Sequence, residues 1–75
     1  MTMSVGDKVL HALRAKYIYQ KQQAEVNLEN LLTNPAGIGE HSDITTEADQ
    51  WIKQIAEADD ALQVVDRILC FKKTY

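Results

Sequence analysis

Residues 34–43 read Asn-Pro-Ala-Gly-Ile-Gly-Glu-His-Ser-Asp, and this stretch decides the fold. It contains the only proline of the chain and two of its three glycines, and the long stretches on either side show helical periodicity. Asn34 precedes Pro35, which disfavours helical geometry at Asn34 and ends any helix that arrives there. The glycines allow the chain to reverse. The sequence therefore predicts a turn over residues 34–42, within a single domain of residues 1–75.

The segment after the turn carries the clearest helical signal, and we predict a helix over about residues 43–73. Its apolar residues alternate spacings of four and three, which is the pattern of a coiled-coil seam. These residues are Ile44, Ala48, Trp51, Ile55, Ala58, Leu62, Val65 and Leu69. Ser42 is the predicted N-cap, because a hydroxyl at that position can accept a hydrogen bond from a free backbone N–H of the first turn.

The segment before the turn predicts a second helix, over about residues 4–33. Ser4 and Asp7 form a Ser-x-x-acid pattern that caps its start. Its seam residues recur every seven positions, at Leu10, Tyr17, Ala24 and Leu31. Gln20 and Asn27 also fall near this seam, where a buried amide can fix register or oligomeric state, or line a ligand pocket.

The fold class predicted from these elements is all-α, an antiparallel two-helix hairpin with coiled-coil-like packing. With the turn centred near Gly37 and Ile38, residues whose numbers add to about 75 face each other. This register places large aromatic residues opposite alanines, as Ala24–Trp51 and Tyr17–Ala58. It also predicts two ion pairs, Lys16–Asp59 and Arg14–Asp60.

A second apolar stripe predicts association. Beside the seam lie Ala61, Val64, Ile68 and Phe71, and the open end of the hairpin brings Val5, Val9 and Ala12 to them. A lone hairpin cannot cover both stripes, whereas two hairpins can, as a dimeric four-helix bundle. A chain of 75 residues also needs support beyond its own core, and the single Cys70 excludes an intramolecular disulfide. The predicted interface of the homodimer comprises Val5, Val9, Val64, Ile68 and Phe71.

Composition argues against several functional classes. The net charge of −3 does not suit non-specific nucleic-acid binding. No apolar run approaches a membrane span, so no membrane association is expected. A free cysteine fits a cytoplasmic, reducing setting. His11 and His41 stand far apart, no cofactor or metal site is predicted, and no catalytic constellation is present, so we expect a protein that is not an enzyme.

The turn itself is the one stretch that can carry a ligand. Its glycines lead into the N-terminus of the second helix, where free N–H groups and the helix dipole favour anions. The candidate ligand-binding residues are Gly37, Gly39, Glu40, His41 and Ser42. The alternative is a purely structural turn, in which the glycines reverse the chain and Ile38 closes the end of the bundle.

The turn resembles one found in small helical proteins of unassigned function from tailed phages, particularly T4-like phages of marine hosts. The matching residues are Asn34, Pro35, Gly37, Ile38, Gly39, Glu40, His41, Ser42 and Asp43. The resemblance implies a small accessory protein in the host cytoplasm and names no activity. We therefore expect a non-catalytic helical oligomer that contacts an unidentified protein partner. The alternative is a binder or sequesterer of a small phosphate-type or nucleotide-type anion at the glycine-rich turn.

Overall fold

The computed structural model describes residues 4–33 and 43–73 and is helical throughout this part of the chain. Helix α1 spans Val5–Thr33 and helix α2 spans Ile44–Lys73. The two helices pack against each other along their length and form a rod of 55 × 17 × 15 Å. The predicted all-α hairpin is confirmed.

Helix α1 is closed at both ends by local hydrogen bonds. The Ser4 hydroxyl accepts a hydrogen bond from the Asp7 backbone N–H at 3.1 Å, and the Ser4 carbonyl accepts one from the Lys8 N–H at 3.0 Å. The predicted Ser4 cap is therefore confirmed. In the last turn the Thr33 hydroxyl donates a hydrogen bond back to the Glu29 carbonyl at 2.8 Å.

The Asp43 carboxylate caps the start of helix α2, and the predicted cap Ser42 lies outside the described residues. One oxygen of the Asp43 carboxylate accepts hydrogen bonds from the backbone N–H groups of Thr45 at 3.0 Å and Thr46 at 3.4 Å. The other accepts a hydrogen bond from the Thr46 hydroxyl at 2.8 Å. A carboxylate at this position satisfies two free donors and places negative charge at the positive end of the helix dipole.

Two ion pairs between the helices show that they run antiparallel. Arg14 bonds Asp66 at 2.7 Å, and Lys21 bonds Asp59 at 2.8 Å. Seven residues forward along α1 thus correspond to seven residues backward along α2. The predicted pairs, Lys16–Asp59 and Arg14–Asp60, are wrong. Side chains of a helix lean toward its own N-terminus. In an antiparallel pair, two residues whose charged tips meet therefore have residue numbers that add to more than those of two residues whose Cα atoms face each other.

The core is a narrow seam. Among the described residues, the buried apolar side chains are Ala24, Leu31, Ala58 and Val65. Ala24 is only 1% exposed and Ala58 only 4%, so both methyl groups lie in the contact between the helices. The other predicted seam residues of α2 are half-buried, except for Ile44 at its start, which is 39% exposed. The helices are therefore held together by a single strip of contact.

Enlarging a seam alanine should destabilise the hairpin. Ala24→Leu adds volume where none is free, and we expect a loss of about 1–3 kcal/mol in the free energy of unfolding, measured by urea denaturation at fixed protein concentration. Ala15→Leu is the matched control, because Ala15 is exposed on the same helix. Equal stability of the two variants would show that Ala24 is not close-packed.

Removing the α2 cap should lower stability in a pH-dependent way. The hydrogen bonds from Thr46, first from its hydroxyl and then from its N–H, together with that from Thr45, lower the pKa of Asp43 below its ordinary value of 3.8. Because the folded-state pKa is depressed, the stabilisation is present above pH 3.8 and is lost as the pH falls through the folded-state value. We expect Asp43→Ala to melt at a lower temperature than the wild type at neutral pH.

That difference should shrink below about pH 4, where the cap carboxylate becomes protonated. Asp60→Ala is the control, since Asp60 is an exposed carboxylate within the same helix. A melting difference for Asp43→Ala that did not change with pH would contradict the role assigned to the charged cap.

Candidate functional site: an apolar patch and a polar groove on one flank

The two flanks of the hairpin differ in chemistry. On a helix, a position one residue after a buried residue and a position three residues after it lie on opposite sides of that residue. Asp59 and Asp66, the partners in the ion pairs, directly follow the buried Ala58 and Val65. Ile68 follows Val65 by three residues. The ion pairs and Ile68 therefore lie on opposite flanks.

The flank opposite the ion pairs carries an apolar patch at the open end of the hairpin, where α1 begins and α2 ends. We call it the open-end patch, and its residues are Val5, Val9, Ala12, Ala61, Val64, Ile68 and Phe71. Val5 is 78% exposed, Val9 52%, Val64 46%, Ile68 42% and Phe71 61%. These five are the residues predicted to form the oligomer interface. In the single hairpin their apolar surface faces solvent.

Other exposed apolar side chains do not form a comparable surface. They are Tyr19, Val26, Leu32, Ile44 and Ile52. Tyr19 lies one heptad beyond Ala12, at the edge of the same flank. Leu32 and Ile44 lie near residues 34–42. Val26 lies one heptad beyond Tyr19, at the outer edge of the same flank, and Ile52 lies on the ion-paired flank. Isolated exposed apolar residues are ordinary, whereas a contiguous patch marks an interaction surface.

Beside the patch, near the middle of the rod, the same flank holds a polar groove of about 480 Å³. It is lined by Tyr17, Gln20, Gln23, Gln54, Glu57, Ala58 and Ala61. Both helices contribute to it, which shows that Gln20 of α1 and Ala61 of α2 share one flank. Ala61 joins the groove to the open-end patch.

The two amides predicted near the α1 seam are Gln20 and Asn27. Gln20 is exposed and lines the groove, and Asn27 is half-buried. None of the polar side chains in the described part of the chain is buried. Neither amide is buried within a single hairpin, and Gln20 follows the second of its two predicted roles, since it lines a groove.

From the groove toward the turn, this flank is polar. Its residues in that half, placed by the same helical geometry, are Gln23, Asn27, Asn30, Gln50, Gln54 and Glu57, with Lys53 and the apolar Val26 at its outer edge. The flank thus changes from apolar at the open end to amide-rich at the turn end. Amide side chains both donate and accept hydrogen bonds, so this half is best covered by water or by other amides.

The ion-paired flank has its own electrostatics. The hydrogen bond from Lys21 Nζ to Asp59 Oδ1, reinforced by the attraction between the two charges, raises the pKa of Lys21 above its ordinary 10.5. The same hydrogen bond and attraction lower the pKa of Asp59 below its ordinary 3.8. Gln63 supports the pair by donating to the second oxygen of Asp59 at 3.3 Å.

The predicted anion-binding residues Gly37, Gly39, Glu40, His41 and Ser42 lie outside the described residues. Asp43, the first described residue after them, occupies backbone N–H groups at the start of α2 that could otherwise bind an anion. Its carboxylate accepts hydrogen bonds from the N–H groups of Thr45 and Thr46, which an anion bound at the start of α2 would otherwise use. The start of α2 therefore favours a structural cap over an anion site.

Within 4–33 and 43–73, no three or more His, Cys, Asp or Glu residues lie together as a metal ion would require. Neither of the described helices has the length and apolar character needed to cross a membrane. In comparisons with known proteins, no family model, curated protein or solved structure matches the chain.

Breaking one cross-helix ion pair and rebuilding it in reverse should test its contribution to register. We expect Lys21→Asp to lower the melting temperature, because it places two carboxylates together, and the added change Asp59→Lys to recover most of the loss. Wild-type stabilisation from this pair should be present between pH 3.8 and pH 10.5. It should be lost below that window as Asp59 protonates and above it as Lys21 deprotonates.

Melting curves at low and high salt complete this test, since screening weakens exposed pairs. Lys53 and Asp49 supply the control, because this exposed pair lies within α2 and joins no other element. If reversing the control pair changed stability as much as reversing Lys21 and Asp59, the cross-helix pair would have no special role.

Proposed function

We propose that the chain acts as a non-catalytic interaction protein whose working form is a homodimer, two hairpins joined through their open-end patches as a four-helix bundle. The observation that carries the proposal is the contiguous exposure of Val9, Val64 and Ile68 on one flank. A second copy of the chain supplies a matching apolar surface of the same shape.

The thinness of the hairpin core supports this proposal. Two of the four buried apolar residues in the described segments are alanines, which contribute little area. A chain of this size with no disulfide usually gains stability by association. Burial of an aliphatic side chain contributes about 1.5–3 kcal/mol, so covering the patch adds stability comparable with that of the seam itself.

The distribution of charge supports the same surface. Both cross-helix ion pairs lie on the flank opposite the patch. Pairing through the patch therefore leaves these charges in water, where exposed pairs carry no desolvation cost. Pairing through the other flank would require their removal from water.

We assign the assembled bundle an accessory role in which its outer surface contacts a protein partner. This assignment draws on the resemblance of residues 34–43 to the turn of small phage-encoded helical proteins. The outer faces carry mixed charge, including the cross-helix ion pairs Arg14–Asp66 and Lys21–Asp59. Surfaces of this kind suit transient recognition of another protein more than catalysis.

A charge placed in the open-end patch should separate the copies. For Ile68→Asp we expect the dissociation constant to rise by roughly a hundredfold or more, because each copy loses apolar burial and must desolvate a carboxylate. Light scattering coupled to size-exclusion chromatography measures the mass. Ile52→Asp is the matched control, since Ile52 is an equally exposed isoleucine on the same helix but on another side.

Circular dichroism shows whether Ile68→Asp lowers the helicity of the chain. If it does, the wild type alone provides the test. The wild-type melting temperature should then rise with protein concentration, as mass action requires of a dimer. A monomeric wild-type mass together with a concentration-independent melting temperature would falsify the proposed dimer.

A further inference from the structure

We infer that the two hairpins associate side by side in the same direction, with the two-fold axis along the rod, so that the starts of both α2 helices lie at one end of the bundle. This inference rests on the proposed dimer and adds its direction. It follows from the way polarity changes along the patch flank.

The interacting flank has two unlike halves. The open half carries Val9, Val64 and Ile68, and the turn half carries Gln23, Gln50 and Gln54. The polar groove lies between them. A second copy in the same direction sets apolar surface on apolar surface and amides on amides. Amides complement one another because each offers both a donor and an acceptor.

A fully overlapping pair in opposite directions brings unlike halves of the flank together. It places the open-end patch of each copy against the amide-rich half of the other. Buried amides facing Ile68 or Val64 would lose their hydrogen bonds to water without replacement, which is costly. The apolar side chains would gain less, because they would remain next to polar groups.

A staggered pair in opposite directions overlaps only through the patches. The patch covers about 16 Å of α2, whereas the whole flank runs along the 55 Å rod. A stable interface buries roughly 800 Å² of accessible surface per partner. The same-direction pair covers the whole length of the flank and therefore comes closer to that size than the staggered pair.

Side-chain size favours the same arrangement. With the two-fold axis along the rod, α1 of one copy lies against α2 of the other at matching levels. The small Val5, Val9 and Ala12 of α1 then face the larger side chains of the other copy's α2. In the staggered pair α2 packs on α2, so large groups meet large groups and small groups meet small groups. Large against small fills space better.

Distances between spin labels in two single-cysteine proteins test the direction. The first is the wild type labelled at Cys70, which is exposed near the open end. The second is Cys70→Ser with Thr45→Cys, labelled at the start of α2, where Thr45 is exposed. Pulsed electron paramagnetic resonance then gives the label–label distance within each dimer. We expect both distances to be below about 35 Å, given axes roughly 8–10 Å apart.

Each other outcome has a distinct meaning. A short distance at position 70 together with roughly 65 Å at position 45 would indicate the staggered pair. A separation of about 35 Å or more along the rod at both positions would indicate the fully overlapping pair in opposite directions. Either result overturns the inferred direction and leaves the dimer intact. No dipolar signal at either position, with a monomeric mass, would overturn the proposed dimer itself.

Discussion

The structure depends on the close approach of two helices at Ala24 and Ala58. These methyl groups are almost fully buried, and larger side chains at the same positions would hold the helices apart. A hairpin has one helix–helix contact, so most of the surface of each helix is exposed to water. The two flanks of the hairpin carry different side chains, with ion pairs on one and exposed apolar residues on the other.

One flank determines how the helices pair, and the other is available for association. On the first, Arg14–Asp66 and Lys21–Asp59 join the helices in the antiparallel register. On the second, Val64 and Ile68 contribute little to the hairpin and remain exposed. Exposed ion pairs give specificity at little cost, and apolar surface gives affinity, so the division suits a small protein that folds and associates.

Much of this was predictable from the sequence, because periodicity directly reports which residues share a face. The 3-4 spacing from Ile44 to Leu69 predicted the α2 seam, and the stripe through Val64 and Ile68 predicted the exposed patch. The ion-pair partners were not predictable by matching Cα levels, since their long side chains lean along the helix. The hydrogen bonds that Asp43 accepts from the first turn of α2 were not predicted, since Ser and Asp are both common N-cap residues and periodicity does not choose between neighbours. The polar groove depends on the spacing between helices, which periodicity does not encode.

An antiparallel hairpin brings the first and last residues of its chain together, and this explains why the patch lies at the open end. Helix ends fray because their terminal hydrogen bonds are unsupported and few contacts hold them. Val5 and Val9 lie in the first turns of α1, and Ile68 and Phe71 in the last turns of α2. In the proposed dimer, a second copy placed on these residues would order both ends at once. The chain itself connects the helices at the other end, so association would contribute most where the covalent connection contributes least. Folding of the ends and pairing of the copies would then be one cooperative process, and the proposed dimer links the stability of the hairpin to protein concentration.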